Sequence, residues 1–205
     1  MADTNSVQKN IGVVRALSNE MAAFLNGLPD GIWKDADRFA SGCEGWKVGD
    51  VISHLVDQAN QTTLSIERAI SGSTAPPLGY KSVTADESDQ QLKELRVAFD
   101  EDMFPEFNAS CLRLNQKLVS LDSEQHDLEA WHPSGIRSVS RLVEYRVLEL
   151  AVHGWDIKYA FDRNSPLSPT AMPFLTEFLE RWLQSAFRGA EDLESSVRLR
   201  FDLGA

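Results

Sequence analysis

Cysteine is scarce in this chain, with only Cys43 and Cys111 among 205 residues. The two are far apart and outside any Cys-x-x-Cys spacing, so neither a disulfide framework nor a zinc-finger-like thiolate site is expected. Positive charge is also short. Lys and Arg number 20 against 31 Asp and Glu, for a formal net charge of −11. A surface of that sign does not grip nucleic-acid phosphates or an anionic membrane, so neither partner is expected. No apolar run approaches the roughly 18 residues of a spanning helix. The opening MADTNSVQKN has neither a basic leader nor an apolar stretch behind it, and the expected location is cytoplasmic. A Gly-rich phosphate loop, a Gly-x-Ser-x-Gly elbow, a Gly-x-Gly-x-x-Gly turn and a His-Glu-x-x-His pair are all missing. Nucleotide binding and serine hydrolysis thereby lose their usual signals.

What is present is helical periodicity. Ile11, Val14, Leu17, Met21, Phe24, Leu25 and Leu28 recur at three- and four-residue steps, which predicts a helix over Val7–Leu28. A second is expected over Val48–Ser71, then a loop over Gly72–Gln90 broken by Pro76, Pro77 and Gly79. A third helical stretch spans Gln91–Leu121, and Pro105 should kink or split it near Met103–Phe104 because it has no N–H to donate. The fourth, Val139–Phe161, is apolar around most of its circumference, the pattern of an inner, well-covered helix. A linker, Asp162–Thr170, leads to a fifth over Ala171–Phe187. The expected fold class is all-α: an up-and-down four-helix bundle with an extra C-terminal helix. Val197–Leu203 alternates apolar and polar, so it reads as a half-buried strand in need of a partner. The domain expectation is thus a bundle over 1–190 and a strand-like extension over 191–205, with a homodimer as one way to pair the strand.

Polar residues on these apolar helices locate the chemistry. Glu149 and His153 are four residues apart and share one face of the fourth helix, with Arg146 and Asp156 on the same stripe. Such a row is either a solvated face or a buried polar site. On the second helix His54 lies among Val51, Ile52, Leu55 and Val56, with Asp50, Asp57, Gln58 and Gln61 on its side. Alone it reads as a satisfied core histidine as well as a ligand. Together the three make two imidazoles and one carboxylate from two helices, a donor set with positions left open for substrate. Arg146 is a candidate for holding a substrate carboxylate, as are Arg137 and Arg141 at the helix start. Trp46 is a candidate pocket wall or a core residue. His132 reads as a loop residue, and both cysteines read as packing thiols.

Cys43-Glu-Gly-Trp-Lys-Val-Gly-Asp-Val-Ile-Ser-His-Leu55 and Glu149-Leu-Ala-Val-His-Gly-Trp-Asp156 resemble the two signature segments of the mycothiol-dependent maleylpyruvate isomerase family, within the wider DinB-like superfamily. The resemblance implies a DinB-like bundle holding a divalent metal through His54, Glu149 and His153. Zinc comes first, while nickel or iron suits the same donors. It also implies a low-molecular-weight thiol, mycothiol or an equivalent, as cofactor or co-substrate. From their positions beside His54 and on the ligand stripe, Trp46, Gln58 and Gln61 are the expected cofactor-binding residues and Arg146 the expected catalytic one. Isomerase members continue into a small α/β domain, of which the strand-like 191–205 could be the start. Where the family pattern has Ser or Thr after the tryptophan this chain has Lys47, which cannot accept from a backbone amide, so the helix cap must come from elsewhere. The expected function is a metal-dependent, thiol-using enzyme. It would perform cis–trans isomerisation of a maleylpyruvate-like acid or S-transfer to an electrophile. The rivals are a non-catalytic metal- or ligand-binding bundle and a metal-assisted hydrolase. A small-molecule substrate and the thiol are the expected partners.

Overall fold

The structure, a computed structural model, describes residues 4–29, 32, 39–78, 80, 85–99 and 102–186. The strand expected over 197–203 lies outside the described residues. Six helices carry the fold: α1 (Thr4–Asn26), α2 (Val48–Ile70), α3 (Ala85–Phe99), α4 (Met103–Val119), α5 (Val139–Tyr159) and α6 (Met172–Ala186). A two-stranded antiparallel hairpin, β1 (Glu129–Ala130) and β2 (Arg137–Ser138), precedes α5, with Glu129 opposite Ser138 and Ala130 opposite Arg137. The class is all-α, a helical bundle.

Four helices form the bundle. α2 packs on α4 and α5, and α1 closes the ring by packing on the same two. The apolar stripes meet inside it: Val14, Leu17 and Leu25 of α1, Ile52, Leu55 and Ile66 of α2, Phe107, Leu114 and Leu118 of α4, and Val143, Val147 and Leu150 of α5. Each such side chain contributes about 1.5–3 kcal/mol by leaving water. α6 adds Phe174 and Phe178 to this core from outside the ring.

One boundary differs from expectation. The third helical stretch is split just before Met103 into α3 and α4, as Pro105 requires, but α3 starts at Ala85 inside the expected loop. Residues 85–91 carry no apolar stripe to reveal a helix, yet nothing after Gly79 forbids one, and Leu92 supplies the buried anchor. Pro105 is the third residue of α4. It starts a helix there because first-turn amides lack an intrahelical partner anyway. The hairpin has strands of two residues, too short for a period to register.

The missing cap on α2 is supplied from within the helix. Lys47 stands at the N-cap in extended backbone, and its N–H donates to the Asp50 carboxylate at 2.8 Å. Asp50 also receives Arg96 of α3 at 3.1 Å, so one buried carboxylate caps α2 and fastens α3 to it. α5 is capped by Ser138, whose hydroxyl accepts from the Arg141 N–H at 3.2 Å.

Candidate metal centre

His54 sits mid-way along α2, and Glu149 and His153 sit one turn apart on α5. Packing of α2 against α5 brings the three together. His54 Nε2 donates to Glu149 Oε2 at 2.9 Å, and His153 Nε2 lies 3.3 Å from the same oxygen. One donor atom from each residue lies within 4.8 Å of the other two. The far nitrogen of His153 is held as well: Nδ1 donates to Asp156 Oδ2 at 2.8 Å, and Asp156 is buried. That bond orients the ring and directs Nε2 at Glu149, the arrangement that outer carboxylates give to metal-binding histidines.

The electrostatics of the cluster are those of a proton-filled site. Burial pulls the His153 imidazolium down. Hydrogen bonds to Asp156 and Glu149, together with their charges, outweigh it and push the pKa up to about 9. Burial pushes the Glu149 carboxyl up, but hydrogen bonds from His153 and His54 and their charges hold it well below the usual carboxylate range. A permanent carboxylate and two imidazole nitrogens aimed at one point are a donor set that fits a divalent metal.

A loop from Phe39 to Lys47 walls the centre. It is closed by a bridge between Ala40 and Lys47 and by the Ser41 hydroxyl, which donates to Trp46 O at 2.9 Å. Gly45 takes φ 82°, a left-handed turn that glycine adopts without strain. Trp46 follows it, with its ring 5.9 Å from His153 at 18° and 5.3 Å from His54. The loop is tied to α5 by the Gly42 N–H, which donates to Asp156 O at 2.9 Å. A Cβ on Gly42 would stand 3.0 Å from the Asp156 Cα and 2.7 Å from its carboxylate. Glycine is therefore required by close approach at this point.

The other candidates fall elsewhere. Arg146 is fully enclosed, at 0% exposure. Its Nη1 donates to Leu55 O at 3.0 Å and to Gln58 Oε1 at 2.6 Å, and Nη2 to Cys111 Sγ at 3.4 Å. These bonds tie α5 to α2 and α4. Gln58 is committed to one of them. Gln61 donates to Asp57 at 2.6 Å, and neither glutamine bonds to the histidine–glutamate cluster. Asp57 is raised by burial, against the opposing charge of His54 and the bond from Gln61. Arg141 is paired with Glu144, and Arg137 donates to the Ser134 carbonyl at 2.8 Å.

Two residues near the centre were read as bland in the sequence. His132, on the hairpin loop, stacks 4.9 Å from Tyr145, one turn before Glu149 on α5. Burial and the neighbouring Arg137 charge lower its pKa, against the Glu149 charge. Trp-His-Pro reads as a turn, and nothing in it reports that the hairpin folds back over α5. Cys43 is half-buried, and its sulfur comes within 4.8 Å of donor atoms of His153 and Asp156. The signal available was its place in the same segment as Trp46.

Two solved structures similar to this one are a mycothiol-dependent maleylpyruvate isomerase and a histidine-to-alanine mutant of it. They superpose with TM-scores of 0.67 and 0.65 at 15% identity, over 90% of this chain and 75% of theirs. At that identity the likeness is one of fold. No curated protein matches the chain by sequence. Residues 14–158, which contain α2, the walling loop and nearly all of α5, match the family model for the mycothiol maleylpyruvate isomerase N-terminal domain, and the chain belongs to that family.

Proposed function

We propose that this protein is a divalent-metal-dependent enzyme that uses a low-molecular-weight thiol, mycothiol or an equivalent, in isomerisation of an unsaturated substrate or in S-transfer to an electrophile. The observation that carries the reading is the convergence of His54 Nε2, His153 Nε2 and Glu149 Oε2, with Asp156 fixing the His153 ring. The family supports thiol dependence, and zinc, nickel or ferrous iron suits the donors.

In this reading His54, Glu149 and His153 are the ligands. A metal held there supplies Lewis acidity that lowers the pKa of a thiol beside it. Asp156 keeps the proton of His153 on Nδ1, leaving Nε2 as a donor to metal. Trp46 covers both imidazoles and excludes water from one side. Arg146 ties α5 to α2 one turn away from the ligands and contributes stability to the bundle.

Elemental analysis of protein purified without chelator, combined with a mycothiol-consumption assay, tests the proposal. About one equivalent of metal and thiol consumption that chelation abolishes are the expected results. Metal without thiol turnover would favour a binding module, and turnover without thiol would favour hydrolysis.

A further inference from the structure

A cleft of about 470 Å³ runs between α5 and α6, within the roughly 300–1,000 Å³ of small-molecule sites. Glu149 and His153 line it, so it opens on the candidate metal centre. Its other walls include Leu148, Val152, Leu167, Leu175, Leu179 and Trp182. Several of these are left to water: Val152 is 39% exposed and Trp182 47%. The Thr176 hydroxyl, also in the lining, is committed to Met172 O at 2.9 Å. Among the described lining residues there is no lysine or arginine. The guanidiniums of Arg141 and Arg181 stand over the Phe178 ring, but both are bonded to Glu144.

We infer that this cleft selects an uncharged, apolar electrophile whose reactive carbon lies at the Glu149–His153 end, in preference to a dicarboxylate. A carboxylate at the Glu149–His153 end can meet His153 or a metal held there, but the second carboxylate of a dianion, seated farther along among the leucines, valine and tryptophan, would lose its hydration and gain no cation from the described lining, which is strongly unfavourable. An aryl or alkyl body covers the exposed leucines, valine and tryptophan instead. The chemistry rests on the thiol-enzyme reading. With an α,β-unsaturated ketone, the thiol S–H breaks, a C–S bond forms at the β-carbon and the proton ends on the α-carbon. Nothing is oxidised or reduced.

The test pairs binding with turnover, using 4-phenyl-3-buten-2-one as the apolar probe and maleate as the dianionic one. Binding to the full chain is read by tryptophan fluorescence, with Trp182→Phe to assign the signal. The ketone should bind at least about tenfold tighter than maleate. Val152→Arg, at an exposed position that tolerates the change, should reverse or erase that preference. Leu179→Ala should weaken the ketone alone. With zinc and mycothiol supplied, the ketone should also be the faster substrate. Ketone binding at Trp182 without thiol turnover would overturn the thiol reading and uphold the apolar selectivity. Maleate binding as tightly as the ketone, or a Val152→Arg variant with unchanged preference, would overturn the inference whatever the turnover.

Discussion

Arg146 and Glu149 stand one turn apart on α5, and the bundle treats them in opposite ways. Arg146 is sealed, and all of its hydrogen bonds go to neutral acceptors on α2 and α4. Glu149 keeps 28% of its side chain exposed, lines the cleft, and collects two histidines. A cation enclosed without a counter-charge is costly, so its surroundings must bind it tightly or the helix would not stay. An anion at the edge of a cleft bears less of that cost and stays open to a metal ion. The same helix therefore carries a brace at one level and a chemical centre at the next.

The sharpest way to break this contrast is to remove each charge and read stability and metal separately. Arg146→Ala should destabilise the protein by about 3 kcal/mol or more, from the cavity and the orphaned Leu55 and Gln58 acceptors. Urea unfolding measures it. The fraction still folded should bind zinc with nearly wild-type affinity. If Arg146→Ala spared stability and abolished turnover, the catalytic reading would stand. Glu149→Ala should do the reverse. Metal affinity should fall by more than the roughly 10–100-fold that loss of an outer carboxylate costs, as competition with a chelator reports, while unfolding shifts far less than for Arg146→Ala.

Smaller effects sharpen the boundary of the centre. Gly42→Ala pushes the Asp156 backbone and carboxylate, so it should act as a mild Asp156→Asn. Both should cost zinc affinity by about 10–100-fold, with the Gly42 variant at the lower end, and isothermal titration would rank them. An Asp156→Asn protein with full affinity would remove Asp156 as the orienter of His153.

The centre should also depend on pH. The metal-free folded protein holds the His153 proton with a pKa pushed up to about 9, against 6.5 for a free imidazole. Because the folded value is raised, the proton's stabilisation of the metal-free protein is fully present below pH 6.5 and is lost as pH rises towards 9. Metal must displace that proton. Zinc affinity should thus rise about tenfold per pH unit across that window, with one proton released. Titrations in buffers of different ionisation enthalpy count it. Glu149 stays ionised throughout and adds no slope.

Much of the site was legible because helices repeat. The four-residue step from Glu149 to His153 and the lone polar side of His54 survive in the chain as spacing, and the two signature segments linked them. The walling loop was legible only in part. Trp46 was a candidate on resemblance, but the contact of Gly42 with Asp156 joins residues 114 positions apart, by subtraction of the two numbers. His132 was read as a loop residue, as it is, but its contact with Tyr145 was not legible because it comes from a hairpin of two-residue strands. Gln58 and Gln61 share the His54 side of α2, yet each found a nearer partner.

The sequence by itself determined which residues share a face. At 3.6 residues per turn, Arg146, Glu149, His153 and Asp156 fall within an arc of roughly 80° on α5. Backbone geometry alone fixes that, whatever surrounds the helix. Only the tertiary structure decided what each level of the face meets. Leu55, Gln58 and Cys111 close over Arg146, whereas His54 and Trp46 meet the level of His153 and the cleft beside α6 leaves it open. The physical reason is that periodicity encodes direction around an axis. Dielectric, solvation and hydrogen-bond supply depend on the neighbours at each height along it, and those come from other helices.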